Sequence, residues 1–107
     1  MTVTRKGQAR TLDRAPGVIV RILTDGDAIT LVEVDMQAGS AVSTHTHHNE
    51  QTGTLISGKL QFDIGDETFD FEPGDAWMIP PNVPHEARAI DACLIHECFS
   101  PPREDWR

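Results

Sequence analysis

His45, His47 and Gln51 lie within one seven-residue stretch, and His85 follows far downstream. The first stretch reads Gly39-Ser-Ala-Val-Ser-Thr-His45-Thr-His47-His-Asn-Glu-Gln51, with a turn at Ser57-Gly58. The second reads Pro73-Gly74-Asp-Ala-Trp-Met-Ile-Pro80-Pro-Asn-Val-Pro84-His85. Imidazole nitrogen suits zinc, copper, iron and nickel, and is workable for manganese. Two histidines at i and i+2 on a strand share a face, because side chains alternate. Gln51 keeps that parity beyond a bend at His48-Asn49, so its side-chain carbonyl can join them. His85 follows a proline-rich turn whose rigid backbone fixes its direction. A distant histidine completes such a set only if the sheet curls around. The pattern therefore predicts one divalent transition metal per chain (nickel, zinc, manganese, iron or copper) inside a barrel. Three nitrogens and one oxygen leave open positions for water or substrate, as catalytic metal sites require. His48 and Glu50 have the opposite parity and are expected to face away.

The elements that must position these residues read as strands. Val18 to Leu23 is β-branched and apolar, the turn Thr24-Asp25-Gly26-Asp27 carries a hairpin cue, and Ala28 to Met36 follows. Further strands are predicted at Thr52 to Ser57, Leu60 to Ile64, Thr68 to Phe71, Ala76 to Ile79, Glu86 to Ile90 and Ala92 to Phe99. Short strands at regular spacing suggest a sandwich or barrel. No stretch keeps a helical apolar period over three turns. Residues 1–16 read as an N-terminal arm, either loosely attached or a short edge strand. Residues 17–99 read as the barrel, and residues 100–107 as a tail at its mouth, since its prolines cannot enter a sheet.

A chain of 107 residues suits one domain with its own core. Its net charge of −8 argues against nucleic acid, whose phosphates demand a basic surface. No apolar run approaches the roughly 18 residues of a membrane span. Met1 to Gly7 lacks the apolar core of a signal peptide, so a cytoplasmic location and no membrane partner are expected. Cys93 and Cys98 are five apart and face opposite sides of a strand, which suits small buried hydrophobes better than a disulfide.

On the last predicted strand Cys93, Ile95, Glu97 and Phe99 share one face. If that face lines the barrel, Glu97 lies beside the metal, and burial near Phe99 raises its pKa towards acid–base use. The alternative turns Glu97 to solvent or to an arginine. His96, of the other parity, reads as structural.

The two stretches resemble the paired motifs of the cupins. In the first motif, Gly-x5-His-x-His-x3-Glu-x6-Gly, this chain supplies Gly39, His45, His47 and Gly58, with Gln51 at the glutamate position. In the second, Gly-x5-Pro-x-Gly-x2-His-x3-Asn, it supplies Gly74, Pro80 and His85, with Asn82 and Ala89 as departures. The resemblance implies an all-β double-stranded β-helix, or jelly roll, that is usually a homodimer. A neutral glutamine leaves the ion its full charge, a stronger Lewis acid than one also held by a carboxylate.

The segment from Glu97 to Trp106 resembles the end of the KdgF-type cupins, which act on unsaturated uronates. That resemblance implies His45, His47, Gln51 and His85 as metal ligands and Glu97 and Arg103 as catalytic residues. It also implies Phe99 and Arg103 as substrate contacts. Glu97 stands where that subgroup has an aspartate. The implied partner is a small sugar acid, a 4,5-unsaturated uronate monosaccharide that is ring-opened and ketonised. Other readings are a cupin dioxygenase on a small organic substrate, other isomerase or lyase chemistry, and a non-catalytic metal- or sugar-binding cupin.

Overall fold

Ten strands account for most of the chain, and the computed structural model describes residues 1–107. They are β1 (Arg10–Ala15), β2 (Val18–Asp25), β3 (Thr30–Met36), β4 (Ala41–His45), β5 (Glu50–Ser57), β6 (Leu60–Ile64), β7 (Glu67–Phe71), β8 (Ala76–Ile79), β9 (His85–Ala89) and β10 (Cys93–Ser100). A short 3-10 helix, Glu104–Trp106, ends the chain. The strands form two antiparallel sheets, ordered β1-β2-β3-β10-β5-β8 and β4-β9-β6-β7.

Period-two patterning decides which face goes inside. Val18, Val20 and Ile22 of β2, Val32, Val34 and Met36 of β3, and Cys93, Ile95 and Phe99 of β10 are all buried. The second sheet meets them with Val42, Leu60, Phe62, Ala87 and Ala89. The opposite parity carries charge. His96 reaches Glu33 at 2.7 Å, and Glu33 with Asp35 holds Arg21. Cys93 is buried and Cys98 lies on the outer side of β10, and the two are unpaired.

One motif glycine has a plain steric cause. Gly58 turns β5 into β6 at φ 99°, and a Cβ there would lie 2.1 Å from the Ala92 carbonyl oxygen. No side chain fits that approach.

Three local features complete the picture outside the regular barrel strands. Within residues 1–16, Arg10–Ala15 pair with β2, so the six-stranded sheet begins at Arg10. The strand bearing His45 stops at that residue, and His47 lies beyond it in irregular backbone. Its shared direction with His45 comes from the loop, not from strand alternation. In the tail, Trp106 is buried with its ring 5.0 Å from Phe99. The Asn49 side chain donates to the Pro101 and Pro102 carbonyls, supplying donors that the prolines cannot supply to each other.

Candidate metal centre and its cavity

Register places the first pair of histidines. His45 ends β4 directly opposite His85, which starts β9. The His47 ring sits 4.9 Å from that of His85, and the His45 ring 4.2 Å. One ligand nitrogen from each of His45, His47 and His85 lies within 4.8 Å of the others. Each Nδ1 is hydrogen-bonded to a backbone carbonyl: Ser43 at 2.8 Å, Asn49 at 3.0 Å and Val83 at 2.8 Å, in that order. A proton on each Nδ1 leaves each Nε2 with a free lone pair, the arrangement a metal-binding histidine needs. Burial keeps all three imidazoles neutral, with pKa values below the usual range and that of His45 down to about 4. The Nε2 of His85 is buried with no hydrogen-bond partner.

Gln51 closes the set. Its Oε1 lies 3.0 Å from His47 Nε2, and its Nε2 donates to the Glu97 carboxylate. An ionised Glu97 only accepts, so the amide turns its NH2 towards Glu97 and its oxygen towards the histidines. Either neutral tautomer of His47 then sets a nitrogen lone pair against an oxygen, that of Gln51 or that of Asn49. An imidazolium would relieve this, but burial disfavours it. A cation between Nε2 and Oε1 relieves it directly. The donor set of three imidazole nitrogens and one amide oxygen therefore fits a divalent transition metal.

Glu97 is buried on the inner face of β10. It stands in a cross-strand row, Glu97 opposite Gly53 and Gly53 opposite Trp77. A Cβ on Gly53 would lie 2.8 Å from both Glu97 Cγ and Trp77 Nε1. The missing side chain is what lets the indole reach across and donate to Glu97 Oε2 at 3.3 Å. Burial pushes the Glu97 carboxyl pKa up, opposed by the donors on Gln51 and Trp77 and by the charge of Arg103. Both donors converge on Oε2, leaving Oε1 as the free oxygen. Sequence reading missed Trp77 and Gly53. The available signals were the parity of Trp77 with Ile79 and a glycine inside a strand, which marks close approach.

A cavity opens over this group, lined in part by His45, Gln51, His85, Glu97, Phe99 and Arg103. Its enclosed volume is small, about 40 Å³, and it opens to solvent at its mouth. Arg103 is 7% exposed, its guanidinium 4.2 Å from the Trp106 ring and 5.2 Å from that of Phe99. It is not a free surface charge, because aromatic faces hold it over the cavity. Nε and Nη2 donate to Asp105 at 2.9 and 2.7 Å. One edge of the fork is thus committed, and the edge formed by Nη1 and the second Nη2 hydrogen is left for a ligand. Every residue marked as a ligand or substrate contact in the sequence thus lies in or beside one cavity. His48 and Glu50 are exposed.

Known proteins resemble this chain at three levels. Over its full length it is similar to the structure of KdgF from Halomonas sp., with TM-score 0.91, 25% identity and 99% of that chain covered. It is likewise similar to an RmlC-like cupin from Shewanella frigidimarina, with TM-score 0.93, 21% identity and 96% of that chain covered, a likeness of fold. A 48-residue stretch, 44% of this chain, is 42% identical to H2HPP isomerase of Bacillus subtilis, and that stretch spans 20% of the relative's length. The sequence pattern described as "Cupin domain" matches residues 32–95, from the third strand to the last, which takes in both histidine stretches. That match spans more than half of the chain, so the chain belongs to the cupin domain family.

Proposed function

We propose that this chain is a metal-dependent enzyme that ring-opens and ketonises 4,5-unsaturated uronate monosaccharides. The observation that carries the reading is the placement of Glu97. A buried carboxyl with one free oxygen lines the same cavity as the histidine cluster, and Arg103 stands beside it. The full-length likeness to KdgF, and the isomerase matched over part of the chain, support proton chemistry over oxidation.

His45, His47, His85 and Gln51 would hold the metal, which when bound supplies Lewis-acid polarisation of substrate oxygens. The remaining groups are the chain's own. Arg103 binds the uronate carboxylate through its free edge, a charge-assisted contact. Phe99 gives the sugar a flat wall. Ring opening breaks the bond between C1 and the ring oxygen as the C1 hydroxyl loses its proton and the departing ring oxygen gains one, giving an aldehyde and an enol. A proton added at C4 and one lost from the enol oxygen give the ketone, so the reaction is an isomerisation. Glu97 Oε1 takes and returns the proton, and burial raises its pKa towards acid–base use.

The assay mixes metal-loaded protein with 4,5-unsaturated galacturonate and follows loss of the conjugated double-bond absorbance. No acceleration over buffer would sink the proposal. Glu97→Gln should slow turnover by about 10² or more while metal content stays unchanged. Full activity in that variant would remove Glu97 from the mechanism.

A further inference from the structure

Arg14 is the part-buried cation of this chain that has no carboxylate to hold. The chain has 17 acidic residues against 9 lysines and arginines, so partners are plentiful. Arg21 binds Glu33 and Asp35, Arg88 binds Asp63 and Glu86, Arg103 binds Asp105, and Arg107 binds Asp25. Arg14 makes no side-chain hydrogen bond or ion pair, yet it lines the cavity of the histidine cluster.

The backbone puts it there. β1 pairs with β2 in register up to Asp13 opposite Ile19, and pairing resumes at Ala15 opposite Val18. Arg14 keeps the inward parity of Leu12, and as the extra residue of a β-bulge it has no partner on β2. Ala15 packs against the core while Arg14 turns into the cavity. The charged and titratable groups it meets there are Arg103, His45, His85 and Asp105. One carboxylate, already gripped by Arg103, faces two guanidiniums. Burial and the charge of Arg103 hold the Arg14 pKa below its ordinary value, opposed only by the shared Asp105.

We propose that Arg14 is a ligand-binding residue that, with Arg103, forms a two-arginine clamp for the carboxylate of a small organic acid. This deepens the uronate reading, and it places a residue of the N-terminal edge strand in the site. Guanidinium forks match carboxylate geometry, and two of them approaching from different elements fix a carboxylate's orientation as well as its charge.

The test is calorimetric titration of metal-loaded protein with galacturonate, with galactose as the neutral control and malonate as an unrelated carboxylate. Arg14→Ala should weaken galacturonate binding about tenfold, the loss of one partly exposed charge-assisted bond. It should leave metal content unchanged. Arg14→Gln serves as a second variant should the alanine protein fail to fold. If malonate binds and is weakened by the substitution while galacturonate does not bind, the clamp stands and the uronate reading falls. Equal carboxylate affinity in wild type and variant, or no carboxylate binding to the wild type, overturns the clamp.

Discussion

Replacing Gln51 with glutamate exchanges an N–H donor for an oxygen at the contact with Glu97. In the native chain that contact joins an amide NH2 to a buried carboxyl. In the variant two carboxyls meet inside the barrel. Were both ionised about 3 Å apart, their repulsion would cost roughly 5 kcal/mol at an effective dielectric constant of 20. The alternative is to keep one protonated, so that it donates to the other. Holding a carboxyl with an unfolded pKa of about 4.3 neutral at pH 7 costs about 3.7 kcal/mol. The less costly route wins, so, with Glu97 ionised in the native chain, metal-free Gln51→Glu should be destabilised by about 3–4 kcal/mol at pH 7. The sign with pH follows. The shared proton raises the folded-state pKa above the unfolded value, so the penalty is absent below about pH 4. It grows by about 1.4 kcal/mol per unit as pH rises from there towards the raised pKa. Urea unfolding of metal-free wild type and variant at pH 4, 5.5 and 7 measures the difference. A pH-independent difference, or none at pH 7, would refute the amide orientation and with it the argument that Gln51 presents its oxygen to the histidines.

Gly53→Ala should cost about 1–3 kcal/mol in chemical denaturation, because the new methyl overlaps both Glu97 and Trp77; a neutral substitution would show that the row has slack. Buried neutral histidines compete poorly for protons, so a bound metal should persist below about pH 6.5, the ordinary imidazole value, as read by elemental analysis after dialysis across a pH series. Release centred near 6.5 would contradict the lowered pKa values. The metal-free protein should lose stability as pH falls from about 6.5, the unfolded imidazole value, towards the folded values, since each histidine then takes up a proton on unfolding. Replacing all three by asparagine should flatten that slope.

Much of the barrel was legible because strand alternation is local. The inner faces of β2, β3 and β10 follow from residues two apart, and the structure buries them as that parity demands. The inward direction of Glu97 was legible from Cys93, Ile95 and Phe99 on the same grounds. The His47 side chain was read correctly as to direction but for an incorrect reason. Strand parity does not reach it, because β4 ends at His45. The role of Trp77 was hidden because its partner Glu97 is 20 residues away and joins it only across the gap at Gly53.

By itself the sequence determined the ligand types, their spacing and the periodicity that puts them on inner faces. Those properties are carried by side-chain chemistry and by backbone alternation, which act over a few residues. Tertiary structure decided what that chemistry meets. Register set His45 against His85, and a missing Cβ joined Trp77 to Glu97. Pairing of β1 with β2 brought Arg14 to the cavity, and two aromatic rings fixed Arg103 over it. Each of these depends on which strands lie side by side, and that is settled only when the whole sheet closes around its core.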